Sequence, residues 1–104
     1  MSGHELTVGR GVIAELVGLA ALEVPGVLRV GRGGSAWRRL VGGRSVSVRF
    51  ADQRVRVRLR IVARPGQEIR LLTAQVGTAV AATVERLLGL ELAEVTVLVD
   101  GVGN

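Results

Sequence analysis

The chain has 104 residues, 48% of them hydrophobic, and a formal net charge of +5 in which every basic residue is arginine. This length predicts one domain, residues 1–104, and aromatic residues make up only 2% of the chain, so its core must be aliphatic. Cysteine is absent, which excludes disulfides and thiolate metal sites and suits a cytoplasmic protein. The longest uncharged apolar run, Leu71 to Val84, is too short to span a membrane, so we expect membrane contact only at the surface or through a partner.

The first elements in chain order are two short strands with a helix between them. Glu5 to Val8 and Val27 to Val30 read as strands, and apolar residues at three- and four-residue spacings predict a helix from Val12 to Val24. Leu19 and Leu22 lie off the main apolar stripe of this helix, so it is apolar on more than one side. We therefore expect these two leucines to contact another copy in a homo-oligomer.

A glycine-rich basic segment from Gly31 to Arg44 follows and predicts an exposed, mobile loop. It contains a G-x-x-G pattern, which clamps phosphates in KH-type RNA-binding domains, but here the pattern follows a strand and does not join two helices. A flexible loop with solvated arginines is the simpler interpretation. The candidate interaction residues of the loop are Arg32, Trp37, Arg38, Arg39 and Arg44.

Two alternating segments then predict a hairpin, with strands from Ser45 to Ala51 and from Arg54 to Ala63. The turn between them is Asp52-Gln53. Successive side chains of a strand point to opposite faces, so the second strand has an aliphatic face and an arginine face. The candidate interaction surface consists of Arg49, Arg54, Arg56, Arg58 and Arg60.

Three interpretations of these arginines remain open. They can form a solvated face that keeps the sheet soluble, with arginine stems covering apolar surface. They can also dock an acidic partner or anionic lipid headgroups, or bind nucleic acid through phosphates. The face lacks aromatic stacking platforms, because alternation turns Phe50 toward the core, and this weakens the case for single-stranded nucleic acid.

The last elements are a long helix from Glu68 to Leu88, capped by Gly89, and a strand from Leu92 to Val99. The helix has one apolar stripe, which we expect to face the sheet: Ile69, Leu72, Val76, Val80, Val84 and Leu87. The predicted order is therefore β-α-β-β-β-α-β. We expect an α+β, two-layer sandwich in which two helices cover one face of a mostly antiparallel sheet and the arginines occupy the other face.

Catalysis has few candidate groups in this sequence. His4 is the one histidine and lies near the terminus, and the carboxylates form no paired acid-base arrangement. Metal-ligand spacing is also missing. The segment Gly9 to Ala14 matches the dinucleotide fingerprint in form, but the chain lacks the acidic ribose partner and the length of a doubly wound sheet. We expect neither an enzyme nor a cofactor.

The segment "GVIAELVGLAALEVPGV", from Gly11 to Val27, resembles the bacterial alkaline shock protein family, also called the Gls-type general stress family of envelope stress response proteins. The closing "EVTVLVDGV", from Glu94 to Val102, fits the last strand of that family, and the apolar stripe after Gly66 fits its long helix. The resemblance extends over nearly the whole chain, about Glu5 to Val102.

This resemblance implies a non-enzymatic cytoplasmic scaffold or adaptor of cell-envelope homeostasis under stress. Such proteins self-associate, and a separate membrane-anchored partner can hold them at the membrane. Many relatives are acidic whereas this chain is basic, so the identity of the partner stays open. Two alternatives also remain: a basic nucleic-acid-binding module, and a regulatory subunit of a cytoplasmic enzyme.

Overall fold

The computed structural model describes residues 9–31 and 45–103, which form two helices, one π-helical turn and four strands. In chain order these are α1 (Arg10–Leu22), β1 (Val27–Val30), β2 (Val46–Ala51), β3 (Arg54–Ala63), α2 (Ile69–Ala82), the π-helical turn (Thr83–Leu87) and β4 (Glu91–Val102). The order agrees with the sequence-based prediction over the described ranges. The predicted first strand, Glu5 to Val8, lies outside them.

Both helices pack on one face of the sheet, as predicted. Side chains of β3 alternate between buried and exposed, because Val55, Val57, Leu59 and Ile61 point toward the helices. The helices contribute the rest of the core through one stripe each: Ile13, Val17 and Ala21 from α1, and Leu72, Val76, Val80 and Val84 from α2 and the π-helical turn. No polar or charged residue is buried in the described part of the chain, so the core is aliphatic.

Strand β3 is the centre of the sheet. It pairs antiparallel with β1 and β2, and parallel with β4 along nearly its whole length. A parallel pair needs a long crossover connection, which α2 and the π-helical turn provide. Two of the three strand pairings are antiparallel, in agreement with the predicted mostly antiparallel sheet. The third, between β3 and β4, is parallel, and the sequence pattern did not predict it.

Strands β1 and β2 occupy consecutive stretches of the same edge of β3. β1 pairs with residues 61–63 and β2 with residues 54–59. Between them, the Gly31 amide donates a hydrogen bond to the Arg60 carbonyl (2.9 Å), and the Arg60 amide donates to the Ser45 carbonyl (2.9 Å). The chain therefore leaves this edge of the sheet and returns to it at one residue, Arg60.

The turn of the β2–β3 hairpin forms where it was predicted, at Asp52 and Gln53. Both residues have positive φ, 51° and 65°, as a two-residue type I′ turn requires. That turn matches the natural twist of the two strands, and it sets the register that places Ala51 opposite Arg54. The turn therefore determines which side chains of β2 lie beside the arginines of β3.

Three predicted inward-facing side chains are exposed instead. Ile69 begins α2 and is 38% exposed, and Phe50 is 48% exposed near the end of its strand. Leu87 is 68% exposed because the π-helical turn inserts an extra residue, which rotates the following side chains by one position. Leu88 packs against the core in its place.

Candidate interaction surface

The predicted arginines do share one surface, the face of the sheet that points away from the helices. We call the surface formed by Arg49, Arg54, Arg56, Arg58 and Arg60 the arginine face. Its β3 members alternate with the buried core residues of the same strand. Arg49 joins them from β2, because it lies directly opposite Arg56 in the antiparallel register. Strand pairing therefore brings together five arginines from two strands.

The two ends of the arginine face are neutralised by carboxylates of β4. The Nε atom of Arg54 lies 3.1 Å from Oε1 of Glu91, and both side chains are exposed. The Nη1 atom of Arg60 lies 3.5 Å from Oδ1 of Asp100, in a less exposed position. Exposed ion pairs of this kind stabilise a fold by only about 0–1 kcal/mol, so their main effect here is on the charge of the face.

The middle of the face has no such pairing. Arg49, Arg56 and Arg58 are exposed, and none of them makes an ion pair with another residue in ranges 9–31 and 45–103. An open groove of about 300 Å³ lies here, lined by these arginines together with Ser47, Val57, Glu94 and Thr96. Glu94 is opposite Arg56 in the β3–β4 register without forming an ion pair with it. The groove therefore combines three cations, two hydroxyl groups and one carboxylate.

Sequence reasoning missed Arg29 and Glu91 as members of this surface. Arg29 lies opposite Val62, on the same side of the sheet as the arginines, because a bulge at Leu28 shifts the alternation of β1. Glu91 reaches Arg54 through the parallel β3–β4 register. Both placements depend on pairing between distant segments, and no local pattern in the sequence indicates either.

The apolar candidate contacts lie on the outer side of α1. Leu19 is 54% exposed and Leu22 is 45% exposed, so both lie at the surface and outside the core. Val12, also exposed, is on the same side of the helix, and Glu15 and Glu23 accompany it. This mixed apolar and acidic surface is separated from the arginine face by the sheet itself.

The remaining candidate interaction residues lie outside the residues that the structure describes. The basic-loop residues Arg32, Trp37, Arg38, Arg39 and Arg44 lie between the described ranges. Among residues 9–31 and 45–103, no three His, Cys, Asp or Glu side chains come together in a way that would hold a metal ion. The helices described there are too short or too polar to cross a bilayer.

The fold and surface define a small α+β domain with a helical layer, an open sheet face and a cluster of uncompensated arginines. A family model covering residues 2–104 matches this chain, and its description is the alkaline shock protein 23 family, with a cell envelope-related function. The chain therefore belongs to that family, as its sequence motifs suggested. No curated protein matches the sequence significantly.

Two solved structures share the fold. One is a variant of MamM CTD in a manganese form, with a TM-score of 0.62, 18% identity, and coverage of 88% of this chain and 96% of that one. The other is a variant of MamM CTD in a zinc form, with a TM-score of 0.62, 17% identity, and coverage of 88% and 84%. At these identities the likeness extends to the fold and no further.

Proposed function

We propose that this protein is a non-enzymatic adaptor of the cell envelope, cytoplasmic and self-associating, which docks an acidic partner held at the membrane. The observation that carries this proposal is the unpaired centre of the arginine face, Arg49, Arg56 and Arg58. Arg49 and Arg56 are like charges directly opposite each other on neighbouring strands, an arrangement that destabilises a sheet. A partner that supplies carboxylates there replaces repulsion with attraction.

The family's cell envelope-related function supports placing this partner at the envelope. We favour attachment through a second protein, because its carboxylates can then dock on the unpaired arginines. Electrostatic complementarity of this kind contributes mainly to specificity and association rate, which suits an adaptor that is recruited and released.

The test is cell fractionation of the wild type and the double variant Arg56→Thr/Arg58→Thr. Threonine is a good strand residue, so we expect the variant to fold with equal or higher stability, checked by thermal unfolding. Its share in the envelope fraction should fall. The matched control Arg70→Thr/Arg86→Thr removes the same charge from the exposed surface of the helical layer and should fractionate as the wild type.

Equal envelope fractions for all three proteins would contradict the proposal. Nuclease treatment before fractionation separates the main alternative. If nuclease releases the wild type from all its partners, the arginine face binds nucleic acid, and the adaptor proposal fails. If recovery with the envelope resists nuclease and depends on Arg56 and Arg58, the proposal is supported.

A further inference from the structure

We propose that the centre of the arginine face binds an extended acidic segment of a partner protein, in which two carboxylates are separated by one residue. This inference rests on the proposed docking function and specifies the ligand. Positive charge is spread unevenly over the arginine face. Arg54 and Arg60 are already paired with Glu91 and Asp100, so the cations that can recruit a new carboxylate are concentrated at the centre.

The shape of the surface favours an extended chain. The central groove shares Arg56 with a second open groove of about 310 Å³, lined by Ala51, Asp52, Arg54, Arg56 and Ala93. Together the two grooves follow β3 from Arg54 to Arg58, between β2 on one side and β4 on the other. An extended segment fits a concave path between strands better than a helix, whose diameter with side chains is about 10–12 Å.

The distance between Arg56 and Arg58 determines how far apart the two carboxylates of the bound segment must be. Arg56 and Arg58 are two residues apart on one strand, so their Cα atoms are separated by about 6.6 Å, from a rise of about 3.3 Å per residue. In an extended segment lying along β3, side chains two residues apart have the same separation and point the same way. An acid-x-acid sequence therefore places one carboxylate at each arginine, and Arg49 adds a second donor beside Arg56. Arginine can also bind one carboxylate through two parallel hydrogen bonds, and this pairing is strongest when the carboxylate is held in one orientation.

The carboxylates on the face argue for protein over a uniform polyanion. Glu91, Glu94 and Asp100 are spread along β4, and Glu94 lines the central groove itself. A nucleic acid backbone or an anionic bilayer presents negative charge everywhere and meets these groups as well as the arginines. A peptide can place its acids over β2 and β3 and neutral residues beside Glu94. The face also lacks an aromatic side chain among the described residues for stacking bases.

The test measures fluorescence anisotropy of short synthetic peptides with the full-length protein at low salt. One peptide has two glutamates separated by one residue in a neutral, extended background. Its isomer has the same composition with the glutamates separated by two residues. We expect the first to bind a few-fold more tightly, roughly two- to fivefold, because it makes one exposed charge pair that its isomer cannot make. Binding should weaken steeply by 0.5 M salt, where screening acts over roughly 4 Å.

Variants connect the binding to the groove. Arg56→Thr/Arg58→Thr should remove the preference for the first peptide, and Arg70→Thr/Arg86→Thr should keep it. Glu94→Gln takes away the carboxylate that competes with the ligand, so it should tighten binding a few-fold. Tightening in this variant is a result that general unfolding cannot produce.

Equal binding of the two isomers overturns the inference. So does tighter binding of random single-stranded DNA, or of phosphatidylserine vesicles, that depends on Arg56 and Arg58. The proposed function fails separately: if the double variant keeps its place in the envelope fraction, the face is not the docking surface. If it loses that place while the two peptides bind alike, docking stands and the acid-x-acid motif is wrong.

Discussion

At the scale of single residues, two glycines of this chain differ in whether their surroundings leave room for a side chain. Gly26 is buried in the turn before β1, where its carbonyl accepts a hydrogen bond from the Arg64 amide (2.9 Å). A Cβ atom added there would overlap the exposed side chain of Gln67 and would also lie 2.7 Å from Cδ1 of Leu72, a core side chain that is 1% exposed. Gly77 lies within α2, and a Cβ atom added there meets no atom within 4 Å. The first position therefore excludes a side chain and the second accepts one.

We predict that Gly26→Ala lowers the free energy of unfolding by about 1–3 kcal/mol, the usual cost of forcing an extra carbon into a packed site. Gly77→Ala should raise it by about 0.5–1 kcal/mol, because alanine has the higher helix propensity. Chemical denaturation of both variants measures the two effects. A neutral Gly26→Ala variant would show that Gln67 and Leu72 both move aside at little cost.

At the scale of helices and strands, an element was predicted accurately where its own residues define it and less accurately where they do not. The bounds predicted for β3, Arg54 to Ala63, match the structure because alternating arginines and aliphatic residues define that strand by themselves. Helix α1 begins and ends two residues earlier than predicted. The π-helical turn and the exposure of Leu87 were not predicted, because one inserted residue leaves no mark on an apolar stripe.

The candidate surface was predictable only in part for the same reason. The arginines of β3 and Arg49 share a face through alternation and one tight hairpin, and both are local features. The charge that remains on the face depends on β4, whose pairing with β3 is parallel and distant in sequence. Two bulges in β4, at Ala93 and Asp100, further shift which of its residues lie beside each arginine.

The hairpin turn gives a prediction at this scale. Gln53 holds a left-handed conformation with φ of 65°, which costs a non-glycine residue about 1 kcal/mol. Gln53→Gly should therefore raise the free energy of unfolding by about 0.5 kcal/mol, after allowing for the greater freedom of glycine in the unfolded chain. Thermal unfolding with calorimetry measures the change. A destabilised variant would show that the Gln53 side chain makes a contact worth more than the backbone strain.

At the scale of the whole molecule, the arginine face and the exposed leucines of α1 are two separate surfaces, which can take part in two independent interactions. The arginine face lies on one side of the sheet, and the exposed leucines of α1 lie on the outer surface of the helical layer that covers the other side. A module of this kind can bind a partner on one side while it associates with itself on the other. We propose this arrangement, with Leu19 and Leu22 as contacts between copies.

We therefore predict a homo-oligomer at micromolar concentration that Leu19→Glu dissociates without unfolding. Leu19 is 54% exposed, so the substitution should change monomer stability by no more than about 0.5 kcal/mol. Leu71→Glu is the control, since Leu71 is 58% exposed on the other helix. Sedimentation velocity should show a smaller species for the first variant and an unchanged one for the second. A wild type that sediments as a monomer at that concentration would contradict the prediction.

The meeting of Gly31 and Ser45 at Arg60 has a consequence for engineering. Backbone pairing with β3 is complete on both sides of this junction, so the described sheet edge is held by hydrogen bonds up to each of the two anchors, Gly31 and Ser45. The entropy of closing the intervening segment grows slowly, by roughly 0.6 kcal/mol for each doubling of its length. A guest peptide or a small reporter domain spliced in here should therefore leave the domain folded. The same graft at Asp52 and Gln53 would disrupt the turn that sets the register of the arginine face.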